Sequence, residues 1–176
     1  IGWEENIGYV GDQQWAEQVR GTPWIPEDMA SASIGQAMVQ ITPLQLARAY
    51  AVFANGGWMV TPHLAEAGLD WTSSKYKTKV AIKPSTLQTI REGLRRVVES
   101  GTGAGLNGPG LPPGAGKTGT AEDSTGGPDH AWFGCYAPYP NGEIVVVAFA
   151  QNTPGGGSVH ALPMAKKVLA EWNRTR

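Results

Sequence analysis

The chain has 176 residues, 41% hydrophobic and 16% charged, with a formal net charge of −1: enough for one domain with a buried core. No block of like charges appears, so a polyanion-binding surface is not expected and nucleic acid is excluded as a partner class. No apolar run approaches the ~18 residues of a membrane span, the Ile1-Gly2-Trp3-Glu4-Glu5 start is no signal peptide, and Cys135, the one cysteine, allows neither an internal disulfide nor a cysteine-rich metal site.

Residues 1–41 read as irregular, with a short helix around Asp12 to Arg20 and a Pro-punctuated stretch after it. Thr42-Pro43-Leu44-Gln45 then opens a helix, with Thr as N-cap, Pro at the first helical position and Gln completing a capping box. Leu46, Tyr50 and Phe53 recur at helical spacing, and Asn55-Gly56-Gly57 ends the element. A second helix is predicted from Pro84 to Ser100. Its apolar stripe is Leu87, Ile90, Leu94, Val97 and Val98, with Arg91, Arg95 and Arg96 turned away from the centre. Gly101 stops it, and a Gly- and Pro-rich stretch leads to Lys117.

Beyond that point the period changes to that of strands. Ala131 to Tyr139 and Glu143 to Gln151 are aromatic and β-branched runs joined by Pro140-Asn141-Gly142, a hairpin signal. Ile144 to Ala148 is continuously apolar, as in a strand covered on both faces. Ala161 to Trp172 closes the chain as an amphipathic helix whose buried face is Leu162, Ala165, Val168, Leu169 and Trp172. The 24 glycines and 13 prolines cluster at 21–26, 55–57, 101–119, 126–128 and 154–157. None of these clusters separates two self-sufficient hydrophobic halves, so they read as loops within one domain.

Gly114-Ala115-Gly116-Lys117-Thr118-Gly119-Thr120 admits three functional readings. Gly114, Gly116 and Gly119 satisfy the dinucleotide pattern G-x-G-x-x-G, but that motif needs a strand before it and an amphipathic helix after it. Leu111-Pro112-Pro113 and Ala121-Glu122-Asp123-Ser124 supply neither. Gly116-Lys117-Thr118 matches the end of a nucleotide P-loop, yet the required first glycine falls on Leu111. The third reading is the K-T-G strand of penicillin-binding serine acyltransferases. Such a strand presents an ammonium (Lys117), a side-chain-free residue against which substrate lies (Gly119), and hydroxyl and N–H groups (Thr118, Thr120).

Four further segments match in order. Pro23-Trp24-Ile25-Pro26-Glu27-Asp28 with Ser33-Ile34-Gly35-Gln36, Ile41-Thr42-Pro43-Leu44-Gln45-Leu46-Ala47, Ala54-Asn55-Gly56-Gly57, and Ala131-Trp132-Phe133-Gly134-Cys135-Tyr136-Ala137-Pro138 accompany Lys117-Thr118-Gly119-Thr120-Ala121-Glu122. Together they resemble the elongation-type class B penicillin-binding proteins over nearly the whole chain. One departure is Gly35-Gln36-Ala37, where the family has Gly-Gln-Gly.

The resemblance implies an α/β fold, a mainly antiparallel sheet flanked by helices, with three of five strands in this chain. It implies that residues 1–176 are the C-terminal part of one transpeptidase domain. The S-x-x-K and S-x-N elements would lie upstream, and the chain alone would be inactive. The implied function is D,D-transpeptidation of peptidoglycan stem peptides through a serine acyl-enzyme, with β-lactams as substrate mimics. By the same resemblance Lys117 and Thr120 are catalytic, and Thr118, Gly119 and Thr120 bind substrate. The Thr120 N–H is an oxyanion-hole donor, and His130 stands at the rim. No cofactor or metal is implied. The partners are stem peptides, β-lactam antibiotics and other cell-wall synthesis proteins. The setting is extracytoplasmic, with the parent held by a membrane anchor absent from this chain. A non-catalytic fragment, and a penicillin sensor or β-lactamase on the same fold, are the alternatives.

Several patterns carry less. Ser74-Lys75-Tyr76-Lys77 matches S-x-x-K literally but sits in a polar stretch, where no buried helix would desolvate the lysine. Tyr139-Pro140-Asn141 copies a Y-x-N motif but follows the K-T-G segment and reads as a turn. Ser158, His160 and Asp129, or His130, could compose a triad, without a Gly-x-Ser-x-Gly elbow. His63, His130 and His160 show no metal-ligand spacing. Trp132 and Trp172 read as core.

Overall fold

The computed structural model describes residues 8–36, 39–64, 76–123 and 125–176. Its centre is a three-stranded antiparallel sheet of β5 (Ala115–Ala121), β6 (His130–Ala137) and β7 (Ile144–Ala150), in the order β5-β6-β7. The register pairs Lys117 with Gly134, Thr120 with Ala131, Phe133 with Ala148 and Ala137 with Ile144. Strand residues alternate between faces, and the two faces have different covers. Ala131, Phe133, Cys135, Ala137, Val146 and Ala148 join Val98, Leu106, Ala161, Leu162, Ala165 and Leu169 in one buried cluster. On the other face Tyr136 and Ala115 pack with Tyr50 and Ala54, with Leu46, Phe53, Leu94 and Val145 alongside.

The first cover is α6 (Ala161–Arg174) with the C-terminal end of α4 (Pro84–Ser100); the second is α3 (Pro43–Ala54). The helix α3 begins as its sequence predicts: Gln45 N–H donates to Thr42 Oγ1 at 3.1 Å, and Thr42 N–H donates to Gln45 Oε1 at 2.8 Å. It ends through Gly56 and Gly57, both at positive φ, and the Gly57 N–H reaches back to the Val52 carbonyl. The Asn55 side chain brackets Trp58 from both sides of its peptide unit. That turn starts β3 (Trp58–Val60), which pairs with β4 (Lys77–Lys79).

Four expectations need correction. First, the short helix expected around Asp12 to Arg20 is present, but the described residues before Thr42 hold more regular structure than the irregular reading allowed. Tyr9–Val10 (β1) pairs with Val39–Gln40 (β2), Gln13–Trp15 (α1) continues as a π-helix over Ala16–Arg20, and Pro26–Ser33 forms α2. The signal for α2 was present, because Pro26 starts it and the Asp28 carboxylate accepts the Ile25 N–H at 3.0 Å.

Second, Arg91 and Arg95 turn inward. Arg95 donates to the Gly114 carbonyl at 2.8 Å with its guanidinium 5.7 Å from the Tyr139 ring centre. Arg91 lies beside the Tyr136 phenol, which burial pushes above its ordinary pKa, partly offset by that guanidinium. Third, Val168 is 48% exposed and Trp172 only half-buried under Arg176, so the buried face of α6 is Ala161, Leu162, Ala165 and Leu169. Fourth, the hairpin expected at Pro140-Asn141-Gly142 is present, but its strands end earlier than expected and the loop runs from Pro138 to Glu143. The Gly142 N–H donates to the Ala54 carbonyl and the Tyr139 N–H to the Pro113 carbonyl, so the loop is docked on its neighbours.

Two sites test this packing. A methyl at Gly134 would meet Tyr50 Cζ at 2.6 Å, and the ring is held edge-on to Phe53. Gly134→Ala is therefore expected to destabilise the fold by about 1–3 kcal/mol through overpacking, read by denaturant unfolding. The second is the pair of Asp28, 8% exposed, and Arg20, joined by two 2.7 Å hydrogen bonds. The Arg20 hydrogen bonds, then the Ile25 N–H, lower the Asp28 pKa to about 2. Because the folded value is depressed, its stabilisation is complete above the unfolded value near ~4. It is lost as pH falls through about 2. Asp28→Asn is expected to show less loss of thermal stability than the parent across that acid window.

Candidate active site

Among the described residues the strand β5 has a partner on one side only, β6. In a strand the N–H and C=O of one residue point to the same edge, and successive residues alternate. The Thr120 carbonyl accepts from Gln36 Nε2 at 3.2 Å, and the Glu122 N–H donates to Gln36 Oε1 at 3.4 Å. The edge away from β6 is therefore the one served by residues 118, 120 and 122. The Thr118 and Thr120 N–H groups point out along it, while those of Lys117, Gly119 and Ala121 face β6.

The side chains divide by the same alternation. Thr118 and Thr120 project on the face of Phe133 and Ala131, their register partners. Thr118 Oγ1 shares a 2.6 Å hydrogen bond with Thr102 Oγ1, in the turn after α4. Thr120 is exposed, with its side chain close over Gly156. Lys117 leaves from the opposite face and curls over the edge, where its ammonium donates to the Thr118 carbonyl at 2.8 Å. Gly119 stands opposite Trp132, where an added Cβ would lie 3.2 Å from Trp132 Cβ. Trp132 itself is half-buried and stacked on Phe149 at 4.3 Å. One short stretch thus gathers an ammonium, two hydroxyls and two outward N–H groups.

His130 pairs with Ala121 at the far end of this stretch, and its Nδ1 accepts the Asn152 N–H at 3.1 Å. Nearby, Asp123 is held below the usual carboxylate range, first by the Thr125 N–H and then by the Thr125 hydroxyl. His160 Nε2 bonds the Pro154 carbonyl at 2.6 Å, and among the described residues no hydrogen bond joins Ser158 to either histidine. The triad therefore does not assemble through these atoms. Cys135 is no candidate nucleophile, since burial pushes its thiol up to about 12. Ser74 and Lys75 lie outside the described residues. Among those described, no group of three or more His, Cys, Asp or Glu is placed to hold a metal ion, and no helix is long and apolar enough to cross a membrane.

Three residues at this edge are not assigned to the site by the sequence reading. Gln36 is visible in sequence only as part of Gly35-Gln36. Thr102 sits in an ordinary Gly-Thr-Gly turn. Gly157, in α5 (Gly156–Val159), presses against the back of the site: a Cβ there would lie 2.6 Å from the Gly119 carbonyl oxygen and 2.9 Å from its nitrogen. Only long-range contact gives each its place.

The family model described as the penicillin binding protein transpeptidase domain matches residues 4–170. The chain belongs to this family. It is 32% identical to peptidoglycan D,D-transpeptidase MrdA of Haemophilus influenzae over 188 residues, covering 94% of this chain and 29% of that protein. Among solved structures, Pseudomonas aeruginosa PBP2 in complex with WCK 5153 superposes with a TM-score of 0.80 at 31% identity, over 94% of this chain and 38% of that one. Helicobacter pylori PBP2 in complex with MreC gives the same TM-score at 24% identity, over 97% of this chain and 31% of that one, and supports the fold alone. The resemblance to class B penicillin-binding proteins read from the motifs agrees with these findings, as does the α/β architecture. The chain spans less than a third of the length of the MrdA protein it matches.

The packing behind the edge yields a test. Gly157→Ala is expected to push the Gly119 backbone off β6, because the atoms it would strike are main chain and cannot rotate away. Amide hydrogen exchange at Lys117, Gly119 and Ala121, whose N–H groups face β6, should accelerate, with a lower unfolding midpoint. Unchanged exchange would remove α5 as the support of this strand.

Proposed function

We propose that these 176 residues are the C-terminal part of the transpeptidase domain of a serine D,D-transpeptidase, and that they contribute the edge on which acyl transfer occurs. The observation that carries this reading is the outward pair of N–H groups on β5 beside the Lys117 ammonium. Hydrogen-bond donors fixed in advance stabilise the oxyanion of a tetrahedral intermediate without reorganising.

In this proposal a serine contributed from outside these residues attacks the carbonyl carbon of the penultimate D-alanine of a stem peptide. The serine proton passes to a neighbouring base, and the Thr120 N–H is one donor to the oxyanion. Collapse expels the terminal D-alanine and leaves an ester on the serine. An amine from a second stem peptide then attacks that ester, forms the cross-link and frees the serine. Lys117 supplies positive charge, the Thr118 and Thr120 hydroxyls hold the substrate carboxylate, Gly119 lets the peptide lie close to the strand, and His130 stands at the rim.

β-Lactams enter as acylating mimics of the same peptide. The work is placed on the outer side of the cytoplasmic membrane, through an anchor outside these residues. Cell-wall synthesis proteins are the proposed partners, as MreC is for the Helicobacter pylori relative.

Fluorescent penicillin and intact mass measurement test the reading. The full-length protein is expected to gain one adduct, and the 176-residue chain none, because among the described residues no nucleophile has an identified base. Lys117→Ala in the full-length protein should slow labelling by roughly 10²–10³-fold, the scale on which a lost electrostatic contact to the transition state is felt. An adduct on any side chain within residues 1–176 would overturn the assignment.

A further inference from the structure

We infer that Arg91 and Tyr136 form a binding site for a carboxylate group, in the cleft between α4 and the β6–β7 loop. The site is separate from the outward edge of β5 and does not depend on the function proposed for that edge. Tyr136 pairs with Ala115 at the start of β5, roughly 17 Å of strand away from Thr120.

The chemistry of the site is set by three donors. Tyr136 is fully buried. Its hydroxyl and the Nε and Nη2 atoms of Arg91 are sealed from solvent, and among the described residues none of the three has a hydrogen-bond partner. Burial raises the phenol pKa and the guanidinium beside it partly offsets the rise, yet no hydrogen bond joins the two groups. Buried polar groups in folded proteins are nearly always satisfied, and an arginine cannot discard its charge. Three unmet donors around one fixed positive charge specify an anionic acceptor.

The geometry of the donors narrows the class of anion. The N–H groups on Nε and Nη2 lie along one side of the guanidinium as a parallel fork, which the two oxygens of a carboxylate match. The phenol O–H then has a second lone pair of one of those oxygens to meet. A water would accept at most two of the three bonds and bring no charge. A cavity of about 110 Å³ lies at this guanidinium, lined by Gln88, Arg91, Tyr139 and Pro140. It has room for a group such as acetate or the end of an acidic side chain.

The nearby elements do not supply the carboxylate themselves. Arg95, one turn further along the same face of α4, is already engaged, by the Gly114 carbonyl and by Glu99 at 2.9 Å. On α4, Glu92 accepts from Gln88 at 2.8 Å; in the loop, Glu143 accepts from Arg176 at 2.7 Å. The carboxylate therefore comes either from a small free monocarboxylate or from an Asp or Glu side chain outside residues 1–176.

Crystals of the full-length protein grown with sodium acetate, together with thermal unfolding in acetate against sodium chloride at equal ionic strength, test the site and tell the two sources apart. For a free ligand, acetate is expected on Arg91 Nε and Nη2 and on the Tyr136 hydroxyl, and the unfolding midpoint should rise saturably with acetate. Tyr136→Phe, which removes only the hydroxyl, should weaken the fitted Kd about tenfold, the scale of one hydrogen bond to a charged group. Arg91→Met should abolish the acetate response. For an internal source, an acidic side chain is expected on the same three atoms, with no acetate response in the parent. Replacing that side chain by Ala should then lower the midpoint and let acetate restore it, and adding Arg91→Met should remove the rescue. A water alone on these atoms would overturn the site. So would acetate present in the crystal without a saturable response in solution, which is binding at crystal concentration only.

Discussion

The pairing of β5 with β6, along one side only among the described residues, is the constraint from which the rest of the site follows. Once that ladder forms, backbone geometry dictates that every second peptide unit of β5 turns its polar groups outward. The outward positions are 118 and 120 because Lys117 pairs with Gly134 and Gly119 with Trp132. A shift of one residue would exchange the two sets. The outward groups would then belong to Lys117 and Gly119, and the hydroxyls would change faces. Register is therefore a chemical specification here as well as a packing one.

The register is held by contacts that tolerate little displacement. On one face Tyr50 lies over Gly134, where no side chain would fit; on the other, Gly157 approaches the Gly119 backbone within the radius of a methyl group. These two glycines act from opposite sides of the sheet, one under α3 and one in α5, and each forbids the strand pair to slide or bow. Apolar burial alone would not do this. Ala131, Phe133, Cys135 and Ala137 give β6 its depth, but apolar side chains can re-pack with modest loss, whereas backbone cannot.

Elements with strong local chemistry were legible in the sequence. Thr42 and Gln45 cap α3, Leu87 and Val98 face the core from α4, and the two aromatic runs pair as β6 and β7, because each signal depends on near neighbours. Arg91 and Arg95 defeated the same logic: a helical period says which side a residue is on, but not that one guanidinium will lie over the Tyr139 ring and the other beside the Tyr136 hydroxyl. Val168 failed for a related reason, since α6 is covered over a narrower stripe than its apolar positions would allow. At the site, Lys117, Thr118 and Thr120 were legible as a motif. Gln36 was legible as part of the Gly35-Gln36 segment but not as a contact of β5, because its two partners lie 84 and 86 residues away. A side chain whose meaning is a distant carbonyl leaves no local period to read.

Strand geometry also gives the length of the Lys-Thr-Gly-Thr unit a physical reason. Two outward N–H groups on one edge require residues two apart, which sets Thr118 and Thr120. Their hydroxyls then fall on the same face without further design, one against Thr102 and the other over Gly156. The residue between them must project from the other face, toward Trp132, and any side chain there would crowd the indole stem; glycine is the residue with none. The cation has to come from that other face too, since the hydroxyl face is already taken. It must also be long enough to cross the edge, and Lys117 does so by reaching the Thr118 carbonyl. Four residues are the shortest strand segment that supplies a crossing cation, two paired hydroxyls and two aligned donors. Beyond it the edge is met from outside the strand, where Gln36 bonds both the Thr120 carbonyl and the Glu122 N–H.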